Sequence, residues 1–187
     1  RMMTRYGLLA AVLVLACGAP RSQADDGFVR ERIPSRDKAS QDALEGKAPP
    51  ALQVKTWVSL DGKGTTLASL KGKVVVLRVW ATWCGPCRRS APQVKQLYST
   101  YAEQGLAVVG IHTTRGGENA AAFVKENDLP WPVGVDDGDK TANVLGAVAG
   151  KPDYFLIDRS GILRFADIEE VELERAVKLL LAESDGR

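Results

Sequence analysis

Val74-Val75-Val76-Leu77-Arg78-Val79-Trp80-Ala81-Thr82-Trp83-Cys84-Gly85-Pro86-Cys87 decides how the rest of the chain is read. Apart from Arg78, its first seven residues are β-branched or large and apolar, the pattern of a strand covered on both faces. After Cys87 the spacing changes. Val94, Leu97 and Tyr101 recur at intervals of three and four, which predicts a helix from Pro86 to about Glu103. The cysteine pair therefore sits where a strand hands over to a helix. The first N–H groups of a helix lack internal partners and its dipole is positive there, so a thiolate at Cys84 is stabilised. Its pKa falls below the roughly 8.5 of a free cysteine. Pro86 suits an early helical position, where a missing N–H costs nothing.

A C-x-x-C pair can also be half of a zinc site, but structural zinc takes four ligands. The other candidates are Cys17, far upstream, and His112, the single histidine. No second pair exists, and a C-x-x-C beside a βαβ pattern reads as redox chemistry. The chain has 187 residues, 45% of them apolar and 26% charged, which suits one soluble domain plus a tail. A net charge of +2 is too small to argue for nucleic acid or an anionic surface.

Outward toward the N-terminus, Arg1 and Arg5 precede an apolar run from Leu8 to Ala16. It is too short to span a bilayer and reads as a secretory signal. Val14-Leu15-Ala16-Cys17 resembles a bacterial lipobox, with Cys17 as the lipidated residue; cleavage after Ser22-Gln23-Ala24 is the competing reading. Both place the domain outside the cytoplasm. Residues 1–17 are thus read as signal and lipobox, 18–46 as a flexible linker of mixed charge, and 47–187 as the folded domain. A short amphipathic helix around Ala39 to Leu44 is compatible with that linker.

Within the domain, apolar residues from Leu52 to Leu67 flank Asp61-Gly62-Lys63-Gly64, a turn signal that predicts an N-terminal hairpin. Leu106 to Ile111 reads as a strand, Asn119 to Asn127 as a helix and Pro130 to Val135 as a short extended piece. Lys140 to Leu145 reads as a helical turn or two. Tyr154 to Ile157 and Ile162 to Ala166 read as strands around an Asp158-Arg159-Ser160-Gly161 turn, and Val171 to Leu181 as a closing helix. Parallel crossovers followed by an antiparallel pair give an α/β fold, a mixed sheet with helices on both sides.

From about Lys47 onward the chain resembles the thioredoxin fold, and most closely the TlpA/ResA-like extracytoplasmic thiol–disulfide oxidoreductases. Val79 to Cys87 is the specific match; Pro92 matches a helix-kinking proline, and Trp131-Pro132-Val133 and Gly150 to Asp158 match later segments. The resemblance implies a thioredoxin-like fold with an N-terminal β-hairpin and a redox-active Cys84–Cys87 disulfide. It implies a cis-proline at Pro152 lying against the cysteines, and a Lys151 backbone that pairs with a substrate strand. Trp83, Gly85 and Pro86 complete the expected substrate surface. It implies protein disulfides as substrates and a membrane thiol donor as partner, as in cytochrome c maturation, with the protein a monomer in the periplasm or cell envelope. No metal, flavin or nucleotide cofactor is expected, and no nucleic acid.

Three positions depart from the family pattern: Arg78 where an acidic or polar residue is common, Ser90 where a glutamate is frequent, and Asp153 where a threonine usually follows the proline. Arg78 shares strand parity with Val74, Val76 and Trp80. Buried near the sulfurs, its charge would favour thiolates. The expected alternative is a packed stem with the head in solvent or on an acid. His112 is read as structural, and Arg88 and Arg89 as a solvated helix face. Disulfide formation in secreted proteins is the alternative direction of the same chemistry. A thiol peroxidase would place a threonine where Ala81 stands, and a copper-carrying relative would need C-x-x-x-C and a later histidine.

Overall fold

The computed structural model describes residues 27–30, 41–59, 61–148 and 150–183. Cys17, the signal segment, the Ser22-Gln23-Ala24 site and most of the linker lie outside them. Six strands form one mixed sheet in the order β1-β4-β3-β2-β5-β6. They are β1 (Val54–Trp57), β2 (Val74–Trp80), β3 (Leu106–His112), β4 (Val133–Asp136), β5 (Asp153–Ile157) and β6 (Leu163–Ala166). Strands β2, β3 and β4 are parallel neighbours; β1, β5 and β6 pair antiparallel. The helices are α1 (Gly85–Tyr101), α2 (Ala120–Glu126), α3 (Lys140–Val144) and α4 (Leu173–Ala182).

Every residue of β2 is buried. Alternation sends Val74, Val76 and Trp80 to the face packed by Val94 and Leu97 of α1, Val124 of α2 and Val177 of α4. It sends Val75, Leu77 and Val79 to the opposite face, against Ala142 and Leu145. Each such side chain contributes about 1.5–3 kcal/mol by leaving water, so the strand that carries the cysteines is anchored on both sides. Pro92 lies inside α1, which nevertheless runs on to Tyr101.

Among the described residues, the expected N-terminal hairpin is not formed. β1 pairs with β4, far away in sequence, through Val54↔Asp136 and Trp57↔Gly134. The turn at Asp61-Gly62 exists: Gly62 N–H donates to Ser59 O at 2.9 Å, and Lys63 N–H to Asp61 Oδ1 at 3.0 Å. The following residues, however, enter a 3-10 helix, Leu67–Leu70, capped reciprocally by Thr66 and Ser69. That capping box uses the donors a second strand would have offered.

The linker reading also needs correction at both described pieces. Phe28 packs tilted against Phe165 with ring centroids 4.8 Å apart, and Arg30 forms a salt bridge with Glu45 at 2.8 Å. Glu45 accepts the Ala166 N–H at 2.8 Å, covering an otherwise open donor of β6. Residues 27–30 and 41–46 are therefore packed against the domain, because one aromatic and one buried ion pair supply contacts that composition averages away.

Candidate active site

Parallel pairing sets Trp80 opposite His112 and His112 opposite Val135, so β2, β3 and β4 end at the same edge of the sheet. β5 runs the other way and begins there, with Asp153 opposite Val79. Four connections thus converge at one edge: 81–84, 113–119, 137–139 and 150–152. In open α/β sheets, this carboxyl edge is where sites form.

Cys84 is the N-cap of α1, in extended conformation at φ −84° and ψ 109°. Its carbonyl accepts the first helical hydrogen bond, from Arg88 N at 3.1 Å, and its Sγ accepts the Cys87 N–H at 3.1 Å. The sulfur takes the place that a serine or aspartate oxygen fills in an ordinary cap. Cys84 and Cys87 are disulfide-bonded with Cα atoms 5.2 Å apart. Both sulfur-bearing residues are buried, Cys84 at 2% exposed and Cys87 at 0%. The Cys84 side chain turns inward to the disulfide and the cap bond, while its neighbours Trp83, Gly85 and Pro86 stand exposed around it.

Trp83 is held from behind: its Nε1 donates to Arg115 O at 2.9 Å, and the Arg115 guanidinium lies 4.8 Å from the ring centroid. Gly116, at φ 78°, passes so close that a Cβ there would come within 2.9 Å of Trp83 Cδ1. Gly85, Arg88, Arg89, Phe123, Glu126 and Asn127 line a groove of about 540 Å³ beside the helix start. Arg88 and Arg89 are exposed, in keeping with a solvated helix face.

Pro152 is buried at the start of β5, across from the strand end that leads to Cys84. No cis peptide bond occurs among the described residues, so the cis-proline expected from the resemblance is trans here. Trans is the lower-energy isomer by about 0.5–1 kcal/mol, and Gly150, at φ 98°, lies ahead to turn the chain into β5. Lys151 Nζ bridges two buried carboxylates, Asp153 at 2.7 Å and Asp167 at 3.1 Å, which fixes this loop to the sheet edge.

His112 is buried and braces the motif loop rather than facing substrate. Its Nε2 accepts the Thr82 N–H at 2.8 Å, which requires the proton on Nδ1, donated to Thr113 O at 2.6 Å. Burial pushes its pKa below the ordinary histidine value, against smaller opposing effects of the Thr113 carbonyl, Glu118 and Asp139. The unfolded chain therefore binds the proton more tightly than the native one. Stability from neutral His112 is complete above the unfolded pKa of about 6.5 and is lost as pH falls through the lower native value. The chain has one histidine, so the assignment is clean. In calorimetry between pH 7 and 5, the melting temperature should fall with pH, and the fall should be smaller in His112→Gln. Parallel curves would reject the role.

Of the two readings open for Arg78, the head in solvent does not hold: the residue is fully buried. Its Nη2 donates to the Cys87 carbonyl and to Ser90 Oγ, the latter at 2.9 Å. Register makes Tyr154 of β5 its cross-strand neighbour. Arg78 shares parity with Val76 and Trp80, which pack against α1, but nothing local in sequence names Ser90 or Tyr154 as partners. Among the described residues, no three His, Cys, Asp or Glu side chains group to hold a metal ion.

Residues 45–166 match the model of the AhpC/TSA family. The thiol-disulfide oxidoreductase ResA of Bacillus cereus is 33% identical over 150 residues, covering 80% of each chain. The thiol:disulfide interchange protein DsbE of Pseudomonas aeruginosa is 38% identical over 124 residues, covering 65% of each. The crystal structure of a thioredoxin-family thiol:disulfide interchange protein from Chlorobium tepidum superimposes with a TM-score of 0.61 at 29% identity, over 73% of this chain and 97% of that one. With a thioredoxin-like sheet and a disulfide capping its first long helix, the chain belongs to the AhpC/TSA family as a thiol–disulfide oxidoreductase of the ResA/DsbE type.

Proposed function

We propose that this enzyme reduces disulfides in protein substrates outside the cytoplasm, with Cys84 as nucleophile and Cys87 as resolving thiol. The observation that carries the reading is the cap: Cys84 Sγ receives the Cys87 N–H at the positive end of a helix. A thiolate there keeps a charge-assisted bond that a thiol would use less well. Cys84 attacks one substrate sulfur and expels the other as a thiolate. Cys87, deprotonated, then attacks Cys84 Sγ and expels the second substrate sulfur. Two electrons pass to the substrate, which leaves as a dithiol, and the enzyme is left as the disulfide.

Because the sulfurs are recessed, the exposed rim of Trp83, Gly85 and Pro86 is the surface a substrate meets, and the backbone of Lys151 and Pro152, ahead of β5 at the same sheet edge, completes it. A thiol donor at the membrane restores the dithiol, and cytochrome c maturation is the process this direction serves. The basic-then-apolar N-terminus supports export, with lipid on Cys17 as the tether of a monomer. The reduction potential of the pair tests the direction. A value near about −270 mV is expected for a reductase, and one near about −120 mV would make the enzyme an oxidant instead.

A further inference from the structure

Arg78 presents a charge problem that the disulfide form leaves unsolved. The side chain is 0% exposed, and its Nε and Nη1 have no hydrogen-bond partner. Nη2 is committed to the Cys87 carbonyl and Ser90 Oγ, and the guanidinium carbon lies 5.2 Å from the Trp80 ring centroid. Tyr154 is the neighbour across the strand pair, and its hydroxyl donates to Glu170 Oε2 at 3.2 Å. Glu170 is therefore one side chain removed. Among the described residues, no carboxylate is in salt-bridge contact with Arg78. Burial pushes its pKa down, against opposing effects of Tyr154 and Glu170, yet an arginine stays protonated in proteins. A buried cation without an anion beside it is costly, and folds keep one only where something pairs with it.

We propose that the missing anion is the one the redox reaction makes: Arg78 is a positioning residue that fixes the first turn of α1 through the Cys87 carbonyl and pairs electrostatically with the thiolate of the reduced Cys84–Cys87 pair. This rests on that pair being the redox centre. Reduction by two molecules of a thiol breaks the Sγ–Sγ bond and delivers two electrons. One cysteine sulfur takes up a proton; the other stays a thiolate near the guanidinium. The two reductant thiols become one disulfide and release two protons, so one proton goes to solvent. Arg78 thereby stabilises the reduced form, and the disulfide is more oxidising than the same fold would be without the charge. The helix terminus adds to the effect but does not supply a counter-charge to Arg78. Around the guanidinium are Tyr154 on β5, Glu170 ahead of α4, and Cys87 of α1, whose carbonyl it holds; of these, only the cysteine pair changes charge with redox state.

The test is an equilibrium titration of the whole chain in glutathione buffers from pH 6 to 8. It compares the unmodified protein with Arg78→Gln, which keeps a hydrogen-bonding head without charge, and Arg78→Lys, which keeps the charge. Glutathione releases two protons per disulfide. If the protein takes up one, its reduced-to-oxidised equilibrium constant rises tenfold per pH unit. The unmodified protein and Arg78→Lys should show that rise across the range. In Arg78→Gln the constant should stay flat until the onset moves up by about one pH unit or more. A flat profile for the unmodified protein overturns the proposal, and needs no variant to fold. So does an Arg78→Gln onset equal to that of the parent. A pair that glutathione does not cycle at all would instead remove the redox reading itself.

Discussion

Replacing Cys84 by serine should abolish disulfide reduction, lowering the rate on the order of 10³-fold or more, the scale of losing an enzyme nucleophile. Serine keeps the cap geometry: its oxygen can accept the Cys87 N–H as Cys84 Sγ does. Stability should therefore change little from the cap itself, and the activity loss is separable from unfolding. Cys87→Ser should behave differently. The first attack survives, the resolving attack does not, and the enzyme accumulates as a mixed disulfide with its substrate. Insulin-disulfide reduction reads the first result and non-reducing electrophoresis the second. Full activity in Cys84→Ser, or a mixed disulfide that forms through Cys87 in that variant at the parental rate, would contradict the assignment of roles.

The elements nearest the motif were legible because local chemistry determines them. A β-branched run with one charge can only be a covered strand, and Pro86 after a C-x start marks a helix terminus. Pairing over long distance was not legible. Asp61-Gly62 does turn the chain, but the partner of β1 is β4, and a turn signal carries no information about a strand so far downstream. The same limit hid the supports of the site. His112 bonds Thr82 across thirty positions, Arg78 reaches Ser90 from a different element, and Glu45 closes the edge of β6. Each is a single polar side chain whose ordinary place is the surface, and only its three-dimensional surroundings show that it is buried and bonded. Arg78 is the sharpest case, since periodicity pointed it inward while the cost of burying charge argued against staying there.

The two tryptophans of the motif should separate stability from recognition. Trp80 is 1% exposed, edge-on to His112 at 4.9 Å and tilted on Phe123 at 5.0 Å. Trp80→Ala should cost about 3–5 kcal/mol from lost burial and the cavity left behind, lowering the melting temperature by roughly 10–15 °C. The indole Nε1 has no hydrogen-bond partner, so the loss is one of packing, and Trp80→Phe should recover most of it. The cavity would open next to Arg78 and under His112. Water admitted there would solvate the guanidinium, and the brace on Thr82 would loosen. Trp80→Ala should therefore also blunt the pH dependence of the cysteine equilibrium, even where the protein remains folded. Trp83, 39% exposed, should do the reverse: Trp83→Ala should shift stability by about 0.5 kcal/mol or less while weakening reduction of protein disulfides more than of glutathione disulfide, which needs less surface. Thermal denaturation and paired rate measurements on the two substrates read both. A large stability loss at Trp83, or equal slowing on large and small disulfides, would mean that the rim is part of the core and not the surface a substrate meets.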